Sequence, residues 1–452
     1  MSYRTTPAQL TTMPPGIPYI IGNELAERFS FYGMRTILTI FMTTALVTHE
    51  GAKDVMSDPE AAKWFHIYVG AVYLTPLIGG MLADLWLGKY RTIICLSLLY
   101  CVGHLILALD QTRQGLFLGL SCVALGAGGI KPCVASHVGD QFGSSNSHLL
   151  PRMYNWFYFA INFGSFFSTL LTPWLMKHYG PHIAFGVPGI FMLVATLLFW
   201  MGRNKFAHIP PQPLVFWQEL TRPDVLRSIS GLAMIYIFIA MFWSLFDQTA
   251  SRWVTQATHM DLNVLGVKVL ADQIQSANPL FVMGLIPLFS LVVYPMVGRF
   301  VTLTPLRKIC AGFGVAAVSF IIPAMVESWI TAGETPTIWW QILAHFLITC
   351  AEIMVSITAL EFSYTQAPAR LKSFIMGLFY ASVFLGNLFT SLVNASIEKA
   401  GLSSALNGSA YYWFFVQCMA VTTVLFVFVA MFYKGRTYLQ GDDAEPCTPE
   451  IH

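Results

Sequence analysis

Apolar stretches long enough to cross a bilayer recur twelve times along the chain, near residues 17–46, 64–87, 91–110, 115–139, 152–178, 183–203, 228–258, 276–302, 305–330, 338–365, 371–398 and 409–434. At ~1.5 Å rise per residue, about 20 residues of helix cover the roughly 30 Å hydrocarbon core of a membrane. The pattern therefore predicts an all-α integral membrane protein with twelve transmembrane helices. One longer polar break, 204–227, separates two sets of six. It holds Pro210, Pro211, Pro213 and Pro223 and the amphipathic piece Val215-Phe-Trp-Gln-Glu-Leu220, expected to lie on the membrane surface. The division predicted is an N-terminal segment 1–16, flexible and polar, a six-helix bundle 17–203, the linker 204–227, a second bundle 228–434 and a disordered tail 435–452. Two bundles around one linker point to a transporter with a site near the midplane.

Composition agrees with the pattern. The chain is 56% hydrophobic and 11% charged, which excludes an ordinary soluble domain. The net charge of +2 says nothing about nucleic acid, but no basic block stands outside the membrane loops, and no nucleic-acid partner is expected. The eight Cys are scattered with no C-x-x-C, so they read as small core residues rather than metal ligands or disulfides. The N-terminus lacks a charged, apolar and small-residue succession, so no removed signal peptide is expected. With the N-terminus inside, fifteen Lys and Arg fall on the cytoplasmic side and seven on the other, while Arg28, Arg35 and Lys131 remain within spans. That bias predicts both termini in the cytoplasm.

The first span breaks the apolar rule. Residues 23–35 read Asn-Glu-Leu-Ala-Glu-Arg-Phe-Ser-Phe-Tyr-Gly-Met-Arg. At about 100° per residue, Glu24, Glu27, Arg28, Phe31 and Arg35 share one helical stripe, with Tyr32 beside it. A charge at the centre of a spanning helix costs roughly 2.5–3.5 kcal/mol on insertion scales, so four unpaired charges cost on the order of 10 kcal/mol. Opposite charges and a water-filled cavity offset that cost, and a polar pathway for substrate or proton needs both.

Other polar groups stand at membrane depth. The fourth span holds Gly126-Ala-Gly-Gly-Ile-Lys131-Pro132, where glycines allow close helix approach and the proline loosens the backbone. Lys131 reaches the depth of Glu24 and Glu27 and is expected to pair with one of them. Asn162 in the fifth span is a neutral amide suited to a polar ligand group. Asp247 in the seventh span and Arg35 both fall in the outer halves of their helices, and their pairing across the two bundles would close the outer mouth. Asn278 opens the eighth span, and Glu361 is a lone carboxylate in the tenth, suited to a substrate ammonium. Glu352, half a turn out of phase with Glu361, receives no role. His66 begins the second span, and its reference pKa suits a proton relay. At 80–91, Gly-Met-Leu-Ala-Asp84-Leu-Trp-Leu-Gly88-Lys89-Tyr-Arg91 resembles the loop motif of the major facilitator superfamily.

Within that superfamily the chain resembles the proton-dependent oligopeptide transporter family, over nearly all twelve spans. The residues that carry the resemblance are Glu24-x-x-Glu27-Arg28-Phe29-x-Phe31-Tyr32-Gly33, Gly-Gly-Ile-Lys131-Pro, Phe157-Tyr-x-x-Ile-Asn162-x-Gly-Ser165 and Leu360-Glu361-Phe-Ser-Tyr-x-Gln-Ala-Pro. Trp64-Phe-His66-x-x-Val and the seventh, eighth and tenth spans are similar to the animal peptide-transporter branch. The resemblance implies the major facilitator fold and proton-coupled import of di- and tripeptides by alternating access. It implies that Glu24, Glu27, Arg28 and Lys131 couple the proton, with His66 taking it in. Arg28 and Lys131 would meet the peptide carboxylate, Asn162, Asn278 and Glu361 the amino end, and Tyr32 the pocket wall. Arg35 and Asp247 would gate. No cofactor is implied beyond the proton as coupling ion. The partners implied are small peptides, protons and the lipid bilayer, and the chain is expected to act as a monomer in the cell membrane, the inner membrane if bacterial. Two departures bear on substrate preference: Phe31 stands where members usually carry a second Tyr, and Phe379 where Trp is frequent. The linker is shorter than the two extra helices of many bacterial members, and the 331–337 loop shorter than the outer domain of animal members.

Other readings differ in what they require. A carrier of nitrate or another small anion fits poorly with Glu361, which repels anions; an amino acid carrier or a non-transporting nutrient sensor is separated by flux through purified protein. A membrane enzyme needs a constellation such as H-E-x-x-H or a Ser–His pair at membrane depth, and the sequence pattern points to neither. A channel would more often repeat a filter element.

Overall fold

The computed structural model describes residues 3–8, 10–143, 145–211, 213–365, 372–400 and 405–433. The tail 435–452, and Arg370, Lys434 and Arg436 of the charge count, lie outside the described residues. The chain forms two compact units, one of Met1–Ser57 with Ala71–Pro213, the other of Asp58–Gly70 with Leu214–His452. The sequence assigns all of 17–203 to the first bundle, whereas residues 58–70 pack with the second unit. The reason lies in their side chains: Lys63 Nζ meets Glu398 Oε2 at 2.6 Å, and His66 bonds to Ser251 and Asn387.

The first unit contains α1 (Ile17–Thr44), α2 (Asp58–Leu82, from residue 71), α3 (Lys89–Leu109), α4 (Arg113–Gly139), α5 (Leu150–Tyr179) and α6 (Pro181–Met201). Three polar contacts fix α1 from three sides. Asn23 Nδ2 donates to the Ala195 carbonyl on α6 at 2.9 Å. Ser30 Oγ and His104 Nε2 on α3 meet at 2.8 Å. Thr172 Oγ1 on α5 donates to the Gly33 carbonyl at 2.8 Å. Each joins groups that lipid would leave unsatisfied, so each resists rotation of α1. Glycine then sets the spacing. A Cβ on Gly164 would lie 2.6 Å from the Leu25 carbonyl, and one on Gly128 would overlap Thr75 Oγ1 and the Val72 carbonyl. Gly128→Ala is therefore expected to cost about 1–3 kcal/mol, read as a lowered Tm of the purified protein in detergent; an unchanged Tm would mean that α2 and α4 separate freely.

The N-terminal segment is held, contrary to the flexible lead-in expected. His208 N–H donates to the Arg4 carbonyl at 2.7 Å, and the rings of Tyr3 and His208 stack at 4.2 Å. Ser145 Oγ donates to the Leu10 carbonyl at 2.9 Å. These are backbone groups meeting residues distant in sequence, which no local pattern announces. The turn after α2 passes through a π-helical segment, Ala83–Leu87, and Gly88 at φ +75°, a conformation that favours glycine. There Lys89 Nζ pairs with Asp140 Oδ2 at 2.7 Å.

The second unit contains α7 (Pro213–Leu220) in the linker, α8 (Pro223–Phe246), α9 (Arg252–Ala257), α10 (Ala277–Leu288), α11 (Tyr294–Val297), α12 (Pro305–Thr331), α13 (Trp339–Glu352), α14 (Thr358–Thr365), α15 (Lys372–Ala400) and α16 (Ser409–Phe432). A two-stranded hairpin, β1 (Asn263–Val264) with β2 (Val267–Lys268), turns between α9 and α10. π-helical segments Phe289–Val293 and Ile353–Ile357 join α10 to α11 and α13 to α14. Joined across such segments, the helices make twelve long runs, six before the linker and six after it. Ten of these, among the described residues, are long and apolar enough to cross a membrane. The others, α1 and α5, are 28 and 30 residues long, and α1 carries the four charges noted above.

Candidate functional site

In the first unit the charged stripe of α1 closes on itself. Arg28 Nε lies 2.8 Å from Glu24 Oε1 and 2.7 Å from Glu27 Oε2. Glu24 is 4% exposed, Glu27 1% and Arg28 8%, so solvent screens the triad weakly. The contacts are ion pairs rather than aligned hydrogen bonds: Glu27 Oε1, Glu27 Oε2 and Arg28 Nε have no hydrogen bond of good geometry. Two carboxylates thus face one guanidinium.

Lys131 does not pair with Glu24 or Glu27 as the sequence predicts. Its Nζ sits 4.2 Å from the centroid of the Phe31 ring and 4.2 Å from that of Tyr73, and among the described residues no carboxylate lies within 4.0 Å of it. An ammonium held on two ring faces is steadied by about 0.5–2 kcal/mol for each, less than a buried ion pair. Phe31, the departure from Tyr, is fully buried, and its face serves the cation without a hydroxyl. Tyr73 escaped the sequence reading because nothing distinguishes it from the other aromatics of its span. Tyr32 is half-buried, edge-on to Phe31 at 5.3 Å. Arg35, one turn further along α1, is half-buried. Asn162 on α5 is half-buried and donates its Nδ2 to the Tyr158 carbonyl at 2.9 Å. That is a local bond to its own helix, which leaves Oδ1 for other partners.

The second unit holds a continuous hydrogen-bonded row. Asp247 is 3% exposed, His66 and Asn387 fully buried. Asn387 Nδ2 donates to Asp247 Oδ2 at 2.7 Å and to the Val383 carbonyl at 2.9 Å. Both amide hydrogens are spent, so the Asn387 oxygen at 2.6 Å from His66 Nδ1 must accept a proton from it. His66 Nε2 faces Ser251 Oγ at 2.9 Å, accepting from it when the ring is neutral and donating to it when the ring is protonated. Sequence reasoning found His66 and Asp247 but missed Asn387 and Ser251. One signal was present: Asn387, Thr390 and Asn394 follow helical spacing and form a polar stripe on α15.

Asn278 on α10 bonds to Glu352, the residue left without a role. Its Nδ2 lies 2.7 Å from Glu352 Oε2 and 3.1 Å from Thr349 Oγ1. Nine α-helical residues turn about 900°, which puts Glu352 and Glu361 on opposite sides; a π-helical turn between them absorbs one residue and leaves them about 80° apart. The segment Ile353–Ile357 is that turn. Glu361 itself is exposed on α14.

Comparison with known proteins follows from this geometry. A family profile described as the POT family matches residues 90–222 and 214–414. Peptide transporter family 1 of Drosophila melanogaster is 35% identical over 361 residues, 70% of this chain and 48% of that protein. Solute carrier family 15 member 2 of Oryctolagus cuniculus is 33% identical over 437 residues, 84% of this chain and 59% of that protein. The chain spans about half the length of the curated relatives it matches. Among solved structures, an auto-inhibited POT family peptide transporter superposes with a TM-score of 0.86 at 35% identity, covering 95% of this chain and 99% of that one. The POT family transporter PepTSo superposes with a TM-score of 0.84 at 36% identity, covering 93% and 98%.

Proposed function

Because this chain belongs to the proton-dependent oligopeptide transporter family, a family of multi-pass membrane transporters with the twelve-helix major facilitator fold, we propose that it is a proton-coupled symporter importing di- and tripeptides. The observation that carries the reading is the buried Glu24–Arg28–Glu27 triad beside an ammonium, Lys131, that has no carboxylate within 4.0 Å among the described residues. A zwitterionic peptide needs a cation at one end and acceptors at the other. The first unit offers Arg28 and Lys131 for the carboxylate, with Tyr32 and Asn162 lining the path. The second offers Asn278 and Glu361 for the amino end. Glu24 and Glu27 carry the coupling proton, His66 takes it in, and Arg35 and Asp247 serve as gate residues. The proton is the coupling ion and no cofactor takes part. The carrier acts as a monomer in the cell membrane with both termini in the cytoplasm.

The test is uptake of labelled dialanine into liposomes containing the purified protein, with and without an imposed inward proton gradient. Accumulation only with the gradient is expected. Folded protein that takes up no dialanine under either condition would overturn the substrate assignment and turn attention to other small zwitterions or to a sensor.

A further inference from the structure

The Asn278 amide is locked by its surroundings, and the lock has a direction. Glu352 Oε2, a carboxylate oxygen, can only accept, so the atom 2.7 Å from it is the Asn278 nitrogen. The contact with Thr349 gives the same direction. Its hydroxyl hydrogen is already donated to the His345 carbonyl at 2.7 Å, so Thr349 Oγ1 can only accept from Asn278 at 3.1 Å. Both hydrogens on Nδ2 are spent. What remains of Asn278 is its carbonyl oxygen, which has no hydrogen-bond donor among the described residues. An asparagine free to flip offers a ligand either a donor or an acceptor; this one offers an acceptor only.

We propose that Glu352 is a positioning residue for the amino end of the peptide: with Thr349 it holds Asn278 so that only an acceptor faces a substrate ammonium. The proposal rests on the assignment of Asn278 to the amino end. Glu352 does not act as a second direct ligand beside Glu361. Its Oε2 is already taken by the Asn278 amide, and the nine residues between the two carboxylates span roughly 13–14 Å of axis at ~1.5 Å each. Its effect passes through Asn278, and the π-helical segment Ile353–Ile357 brings the two carboxylates towards one side of the helix. An acceptor-only amide also favours an ammonium over an acylated amino end, whose nitrogen keeps one N–H but no charge, because the hydrogen bond then loses its charge assistance.

The experiment uses the full chain in nanodiscs and measures displacement of labelled dialanine by dialanine and by N-acetyl-dialanine. Glu352→Met keeps the length of the side chain and removes the acceptor. Dialanine affinity is expected to fall about tenfold, the loss of one charge-assisted hydrogen bond, with N-acetyl-dialanine, whose N–H is uncharged, losing no more than about threefold. Glu352→Gln, whose side-chain oxygen still accepts from Asn278, is expected to stay within about threefold of wild type. Parallel loss of both ligands, equal loss in the Met and Gln variants, or no loss in the Met variant would each overturn the proposal. Thr349→Val removes the second acceptor with little change of shape, and the same selective loss is expected from it if the Met variant does not fold. Wild-type protein that fails to bind dialanine at all would instead overturn the functional reading itself, and this inference with it.

Discussion

Liposomes carrying Glu27→Gln protein are expected to bring labelled dialanine only to the external concentration, even under an inward proton gradient that drives wild type to accumulate it. The reason is the charge count around Arg28. Glu24 and Glu27 both lie within 2.8 Å of its Nε, so while both carboxylates are ionised their charge outweighs that of the guanidinium. Protonation of one carboxylate leaves Arg28 and Lys131 with a surplus positive charge in a poorly screened site, and a substrate carboxylate is then the favourable partner. Proton and peptide therefore bind cooperatively, and a difference of ~100 mV supplies roughly 2.3 kcal/mol per proton, enough for about fiftyfold accumulation. Glutamine mimics the protonated carboxyl permanently. Peptide binding and counterflow of labelled for unlabelled dialanine should survive and lose their dependence on pH, while net accumulation disappears. Accumulation by the Gln variant equal to that of wild type would remove Glu27 from the coupling step.

Lys131→Met is expected to lower affinity for dialanine by about a hundredfold and to leave affinity for its C-terminal amide nearly unchanged. A buried charge-assisted contact to a carboxylate is worth about 2–3 kcal/mol, which converts to a factor of thirty to two hundred. Because Lys131 rests on the Phe31 and Tyr73 rings, a ligand carboxylate breaks no ion pair to reach it. The rings position the cation, so Phe31→Leu should cost several-fold for dialanine, whereas Phe31→Tyr, which keeps the face, should cost little. Displacement assays with the peptide acid and the peptide amide separate these outcomes. Equal loss of both ligands in Lys131→Met would mean that the lysine serves the packing of α4 rather than the carboxylate.

Much of this protein was legible before its structure. Twelve apolar runs and one proline-rich break dictate membrane-spanning helices in two sets, because lipid admits no unpaired backbone and helix length must match bilayer thickness. The stripe of Glu24, Glu27, Arg28 and Arg35 on α1 follows from spacing alone, since an α-helix repeats its faces every three to four residues. Only the tertiary structure decided how those groups are partnered. Lys131 lies on aromatic faces, not on a carboxylate, because the close approach of α4 to α2 brings Tyr73 to it. His66 belongs by packing with the second unit because Asn387 and Ser251, more than 180 residues away, receive its two nitrogens. Glu352 reached Asn278 because α10 packs against α13, and the π-helical turn that follows shifts Glu361 from the phase counted at 100° per residue. Periodicity determines which residues share a face; partners from distant helices and departures from regular helix determine what that face can bind.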